Sequence, residues 1–253
     1  MKNDNYILSI DIGNTRTHLG VIDRDACQCL KTVAFHNSEF DSRFSATLNN
    51  LKSEYNLCKA NISSCVTKLL KEAEDFSKTQ LESVSVLKVH SGLPVVFNYQ
   101  NPEKLGTDRI ADALACSMLF ADRSCVKIGS GSAVTVDFLE KGVNFEGGAI
   151  FAGVEMHFRT LHSSTDALPS VNLQPSPAAV LPGKSTSECI RAGVLYSTAG
   201  AMMRIVAEYR EKYGDDLIVA ATGGAWELTS AIVDFDFTYI PELTLIGVGL
   251  YED

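Results

Sequence analysis

One short glycine-centred segment occurs twice in this chain, and no other feature constrains the fold as much. Near the N-terminus it reads Asp11-Ile12-Gly13-Asn14-Thr15-Arg16-Thr17; in the middle it reads Gly129-Ser130-Gly131-Ser132-Ala133-Val134-Thr135. Apolar runs flank both copies, residues 6–10 and 19–22 around the first and residues 126–128 and 134–139 around the second. Each copy is therefore a strand, a tight turn and a strand. Gly13 pairs with Gly131, and Thr17 with Thr135. Two such hairpins predict two similar halves, each with a loop of phosphate size. The copies differ at one chemically important position: Asp11 in the first is matched by Gly129 in the second.

A chain of 253 residues is long enough for two domains of about 120 residues each. Both halves start with strands and continue into helices. Residues 6–10, 19–22 and 30–35 read as a strand meander. Phe40, Phe44, Leu48 and Leu51 carry helical spacing. Strands are expected at residues 61–66 and 84–90, and helices at residues 67–76 and 105–120. The second half opens at residues 125–128, followed by a hairpin of residues 134–139 and 143–145 and a further short run at residues 149–151. Pro169, Pro175, Pro177 and Pro182 mark an irregular stretch. Ser185 with Glu188 predicts a capping box opening a long helix to about residue 213. A strand at residues 217–221, a helix at residues 225–233 and apolar runs at residues 240–243 and 245–250 complete the chain. This order predicts two mixed α/β domains, residues 1–118 and 119–253.

Net charge is −9, which argues against a general nucleic-acid or anionic-membrane surface. The start of the chain lacks a signal peptide's charged region, apolar core and cleavage site, and no apolar run is long enough to span a bilayer. A cytoplasmic protein is expected. The seven cysteines include no Cys-x-x-Cys pair, and the five histidines lack metal spacing.

The first loop has the chemistry of a phosphate clamp. A glycine turn lets backbone N–H groups approach an anion, and Asn14 tolerates a left-handed conformation. Thr15 and Thr17 add hydroxyls, and Asp11 at the strand end suits Mg²⁺, directly or through a water. Gly183-Lys184-Ser185 is no P-loop: the required glycine five residues earlier is Ala178, and prolines precede it instead of a strand. Gly106-Thr107-Asp108-Arg109 opens a helix. Asp108 there either complements the positive helix end or accepts a substrate hydroxyl proton, beside an arginine suited to a carboxylate or phosphate. Thr222-Gly223-Gly224 after an apolar strand suits either a helix-entry turn or a close-packed ribose or ring.

Taken in order, these motifs resemble the type III pantothenate kinases of the acetate kinase/sugar kinase/Hsp70/actin superfamily. The resemblance runs through Asp11-Ile-Gly-Asn-Thr15, Tyr99-x-Asn-Pro102, Gly106-Thr-Asp-Arg109 and Gly131-Ser-Ala-x-Thr-x-Asp137. It continues through Phe145-Glu-Gly-Gly-Ala-Ile150, Leu168-Pro169, Gly183-Lys-x-Thr186 and Thr222-Gly-Gly224. It implies an α/β fold of two actin-like (ribonuclease H-like) domains with ATP in the cleft between them. By the same resemblance Asp11, Ile12, Gly13, Asn14, Thr15, Arg16, Thr17 and His18 clamp the ATP phosphates, and Ser132 stands where the family has a nucleotide-binding threonine. Asp108 matches the proton acceptor. Tyr99, Gly106, Thr107, Asp108 and Arg109 match pantothenate contacts, and Thr186 a contact reaching from the second subunit of a homodimer. The implied reaction is ATP-dependent phosphorylation of pantothenate, the first step towards coenzyme A, with Mg²⁺ and a monovalent cation, K⁺ or NH₄⁺. Gly129 replaces the family's cation-binding aspartate, and Lys127 lies two residues away on the same strand. Altered cation dependence is therefore expected. The alternative is a catalytically impaired relative that binds nucleotide or pantothenate as a regulatory protein.

Overall fold

The computed structural model describes residues 5–172 and 179–253; Pro175, Pro177 and Ala178 lie outside them. The chain begins with strands β1 (Tyr6–Ile12), β2 (Arg16–Asp23) and β3 (Gln28–His36), then helix α1 (Phe40–Tyr55). Strand β4 (Lys59–Ser64), helix α2 (Thr67–Gln80), strands β5 (Ser83–Val86) and β6 (Val96–Phe97) and helix α3 (Thr107–Leu119) follow. Next come β7 (Cys125–Ser130), β8 (Ala133–Glu140), β9 (Asn144–Ala152), α4 (Val154–Ser163) and α5 (Thr186–Tyr213). Strands β10 (Ile218–Thr222) and β11 (Thr238–Tyr239) and helix α6 (Leu243–Leu250) end the chain.

The first sheet has the order β3-β2-β1-β4-β5. Strand β1 pairs antiparallel with β2 and parallel with β4. As the central strand it is covered on both faces, which explains its nearly unbroken apolar run. Helices α1 and α2 supply the crossovers that the parallel pairs β1–β4 and β4–β5 require. Phe40, Phe44, Leu48 and Leu51 are the buried face of α1, as their spacing predicts. They close one core with Leu8, Ile10, Ile12 and Ile62.

The second sheet runs β11-β10-β7-β8-β9-β6. Its first five strands repeat the first sheet's order, with β7, β8, β9, β10 and β11 in the places of β1, β2, β3, β4 and β5. The duplicated hairpin is thus the start of a duplicated sheet. Here β10 pairs parallel with β7 and β11 parallel with β10. A core of Val126, Ile128, Val136, Phe138, Met202 and Trp226 lies against α5. A mixed α/β chain with two sheets is the expected fold class.

Three local expectations need revision. The runs at residues 143–145 and 149–151 are one strand, β9. It passes through Gly148 because a Cβ there would lie 1.9 Å from the Val136 carbonyl oxygen, so only glycine permits the approach. The helix expected at residues 225–233 is a single 3₁₀ turn, Trp226–Leu228. Burial of the Trp226 ring against Phe237 fixes that turn, and β-branched Thr229, Ile232 and Val233 do not favour continuing it. Helix α4 was not anticipated at all.

Two compact units emerge. One takes in the chain up to Arg123, Leu139–Gly147 and Glu242–Asp253; the other takes in Ser124–Phe138 and Gly148–Pro241. The sequence groups residues 242–253 with the second half, yet α6 packs against α3 in the first unit. Asn61 on β4 anchors this chain end, its Nδ2 donating to the carbonyls of Val248 and Tyr251 at 2.8 Å each. Among the described residues no helix is long and apolar enough to cross a membrane.

Candidate active site

The first turn, between β1 and β2, is braced from outside itself. Gly13 N–H donates to the Arg16 carbonyl, closing the hairpin at 3.0 Å. Asn37, just past β3, donates from Nδ2 to the Gly13 carbonyl and accepts from the Thr17 hydroxyl, both at 2.8 Å. Thr17 is fully buried, so this threonine braces the turn rather than facing out of it. Asn14, Thr15 and Arg16 are exposed at the tip. His18 is half-buried, and burial followed by the Arg16 charge lowers its pKa, favouring the neutral imidazole.

Asp11 sits at the carboxyl end of β1 opposite His18. Its Oδ1 accepts from Ser63 Oγ on β4 at 2.9 Å, and Ser63 Oγ lies 3.0 Å from Thr107 Oγ1 on α3. Thr107 in turn accepts from the Ser64 N–H at 3.0 Å. A single chain of hydrogen bonds therefore ties the acid of the first turn to the opening of α3. Burial pushes the Asp11 carboxyl from 3.8 up to about 7; the Ser63 bond opposes this, and the charges of Asp108 and Asp112 add to it. Neither Ser63 nor Asp112 carries a motif signal in the sequence. Asp112 is buried one helical turn beyond Asp108 and accepts from Thr244 on α6 at 2.7 Å.

Asp108 occupies the first turn of α3, where the helix dipole favours an anion. Its carboxylate folds back over Gly106: a Cβ on Gly106 would lie 2.5 Å from Asp108 Oδ1. Glycine at this position is thus a condition for the position of the acid. Arg109, 5% exposed, lies between two rings, its guanidinium carbon 5.5 Å from the Tyr99 centroid and 5.3 Å from that of Phe145. The rings meet edge-on at 6.3 Å. A planar guanidinium held this way keeps one orientation of its N–H fork, which suits a carboxylate. Phe145 opens a motif that the sequence carries, but its place beside Arg109 is not legible there, because it lies in β9, far along the chain.

The second turn, between β7 and β8, is built differently. Gly131 N–H donates to the Ala133 carbonyl at 3.1 Å, and Ser132, exposed, accepts at its carbonyl from Gly153 N–H at 3.1 Å. Gly129 offers no side-chain oxygen. Two residues before it Lys127 is buried, its Nζ 2.9 Å from Asp137 Oδ2 and 2.8 Å from Thr135 Oγ1. Thr222-Gly223-Gly224 ends β10, with Gly223 at φ +97° and its carbonyl accepting from Tyr239 Oη at 3.4 Å. Thr186 is exposed at the start of α5, where Ser185 caps the helix by accepting from Glu188 N–H. It borders an apolar groove of about 480 Å³ between α4 and α5, lined by Leu161, Leu168, Ile190 and Val194.

The donor set fits Mg²⁺ and does not fit a second cation. Mg²⁺ is commonly held by one or two carboxylates with substrate phosphates and waters, and Asp11 provides such a carboxylate at a phosphate-sized turn. Among the described residues no group of three or more His, Cys, Asp or Glu is placed to hold a metal by itself. A monovalent cation at Gly129 would lack a carboxylate and would face the Lys127 ammonium.

Residues 7–208 match the family model described as type III pantothenate kinase. A type III pantothenate kinase of Sulfurihydrogenibium sp. is 31% identical over 252 residues, covering 96% of this chain and 97% of that one. Another, from Cytophaga hutchinsonii, is 32% identical over 241 residues, covering 95% of each. Among solved structures, a ROK family glucokinase from Streptomyces griseus superposes with a TM-score of 0.55 at 9% identity, covering 96% of this chain and 98% of that one. That likeness shows the fold alone.

Proposed function

The chain belongs to the type III pantothenate kinase family, whose reaction is ATP-dependent phosphorylation of pantothenate towards coenzyme A, and we propose the following division of labour among its residues. The turn from Asp11 to His18 receives the nucleotide phosphates, through backbone N–H groups and the exposed Asn14, Thr15 and Arg16. Ser132 contacts the nucleotide from the second turn. Asp11 would hold Mg²⁺, directly or through a water, and the ion would supply charge neutralisation at the nucleotide phosphates. Arg109, oriented by Tyr99 and Phe145, takes the carboxylate of pantothenate. Gly106 and Thr107 shape the acceptor side, and Asp108 accepts the proton of the primary hydroxyl as that oxygen bonds to the γ-phosphorus and the bond from the γ-phosphorus to the bridging oxygen breaks, ADP leaving with that oxygen. Phosphoryl transfer has a loose transition state, so a carboxylate that mainly orients its hydroxyl is sufficient.

One observation carries this reading: the Asp11–Ser63–Thr107 chain of hydrogen bonds joins the phosphate turn to the helix start bearing Asp108 and Arg109. Nucleotide metal and acceptor hydroxyl are thereby referred to one rigid frame, and such positioning supplies most of the catalysis in this reaction class. We further propose a homodimer in which Thr186 reaches the partner's pantothenate, supported by its exposure beside an apolar groove, and action in the cytoplasm. No observation favours the regulatory alternative.

The test is Asp108→Asn. Turnover of pantothenate with ATP should fall by about 10²–10⁴-fold, with nucleotide affinity by calorimetry within about threefold of wild type. Full activity in the variant would overturn the assignment of the base. Absence of turnover in folded wild-type protein under every cation condition would overturn the kinase reading.

A further inference from the structure

We infer that Lys127 is a built-in monovalent cation, which lets this chain turn over without K⁺ or NH₄⁺. The inference rests on the reading of the chain as a pantothenate kinase. It starts from Gly129, which stands where the resemblance places a cation-binding carboxylate and which brings no side-chain oxygen.

Lys127 and Gly129 lie on β7 two residues apart, so both face the same side of the sheet. Thr135 and Asp137 on β8 are related in the same way. The Lys127 ammonium lies between them, 2.8 Å from the hydroxyl and 2.9 Å from the carboxylate, with only 4% of the lysine side chain and 3% of the aspartate side chain exposed. A lysine ammonium is chemically a tethered NH₄⁺, with a similar appetite for oxygen. Burial of a charge demands a partner, and here each charge supplies the other's. A second small cation in the same place would meet the ammonium's repulsion at short range in a poorly screened environment, with no carboxylate at Gly129 to offset it. On this inference the Lys127 ammonium, paired with Asp137, takes the part of the free cation for which Gly129 supplies no carboxylate. Lys127 is a positioning residue in this account; it acts by holding the second hairpin.

The experiment is a cation profile of the purified wild-type protein, with tetramethylammonium keeping ionic strength constant. Replacing it by K⁺ or NH₄⁺ should change the rate of pantothenate phosphorylation by less than about twofold. Thallous ion, used as a K⁺ probe in thallium NMR, should show no saturable binding to the protein. Saturable activation of about tenfold or more by K⁺, or stoichiometric thallous binding, overturns the inference while leaving the kinase reading intact. Absence of turnover in every salt overturns the kinase reading instead, and the thallium measurement then decides the cation question by itself. In Lys127→Ala, K⁺ or NH₄⁺ should raise both the rate and the melting temperature saturably, and tetramethylammonium should not. A lysine that only fills space would leave the variant indifferent to which small cation is present. The wild-type measurements decide the matter whether or not this variant folds.

Discussion

Replacing Asp11 by Asn should make the ligand-free protein more stable at neutral and alkaline pH, although it removes the carboxylate proposed to hold the nucleotide's metal. The unfolded chain releases the Asp11 proton near 3.8 and the folded chain near 7, burial being the main cause and the charges of Asp108 and Asp112 adding to it. Between those values the folded state holds a proton that the unfolded state has lost. Stability therefore falls as pH rises through this window, and the deficit is complete above it. Each pKa unit corresponds to about 1.4 kcal/mol, so the full deficit is about 4 kcal/mol, an upper bound because Asp11 keeps part of its surface. Part of the deficit already exists at pH 5; between pH 5 and pH 8 it grows by about 2.5 kcal/mol. Asn cannot ionise, but its carbonyl still accepts from Ser63. The assay is urea unfolding of both proteins at pH 5, 6, 7 and 8, with carboxyl carbon NMR locating the Asp11 titration directly. The stability difference, variant minus wild type, should climb by about 2–3 kcal/mol across the series. A difference flat within about 0.5 kcal/mol, or an Asp11 titration near 4, would refute the reasoning. The same carboxyl should lose its proton when a divalent cation binds, so Mg·ATP affinity should strengthen with pH between 6 and 8 in wild type and not in the variant.

Three further outcomes follow from the site. Phe145→Ala removes one face of the Arg109 cradle and should raise the KM for pantothenate about 3- to 30-fold with little change in kcat, while Phe145→Tyr stays near wild type; equal KM values would dismiss the cradle. In Gly106→Ala the new methyl must displace the Asp108 carboxylate, so steady-state assays should show kcat falling at least about tenfold with the melting temperature nearly kept, and an unchanged kcat would show that Asp108 need not lie there. Cys65 is exposed in part, yet desolvation and the nearby charges of Asp108 and Asp11 push its thiol above the ordinary cysteine range. Iodoacetamide at pH 8 should therefore modify it more slowly than a free thiol, and fast alkylation mapped to Cys65 by mass spectrometry would contradict this.

Much of the architecture was legible in the sequence because it is written in local patterns. Apolar runs around two glycine turns marked the paired hairpins. The spacing of Phe40, Phe44, Leu48 and Leu51 fixed the buried face of α1, and Ser185 with Glu188 marked the start of α5. The contiguous motifs Asp11–Thr17 and Gly106–Arg109 likewise marked the two segments from which the proposed site is built. Their chemistry is confined to a few adjacent residues, so periodicity and turn rules reach it.

What the sequence could not state is which distant side chains meet. Ser63 joins Asp11 to Thr107 only because β4 lies beside β1 and α3 opens above it. Phe145 reaches Arg109 because β9 pairs with β6 next to Tyr99. Helix α6 returns to α3 and delivers Thr244 to Asp112. Lys127 reads in the sequence as a charge out of place on an apolar strand, and becomes intelligible once β8 brings Asp137 and Thr135 to it. Local propensity sets the period of a strand or helix, but the register between elements far apart in the chain is set by packing of the whole core. The acidity of Asp11 and the charge balance of the second hairpin are consequences of that packing, and so belong to the tertiary structure alone.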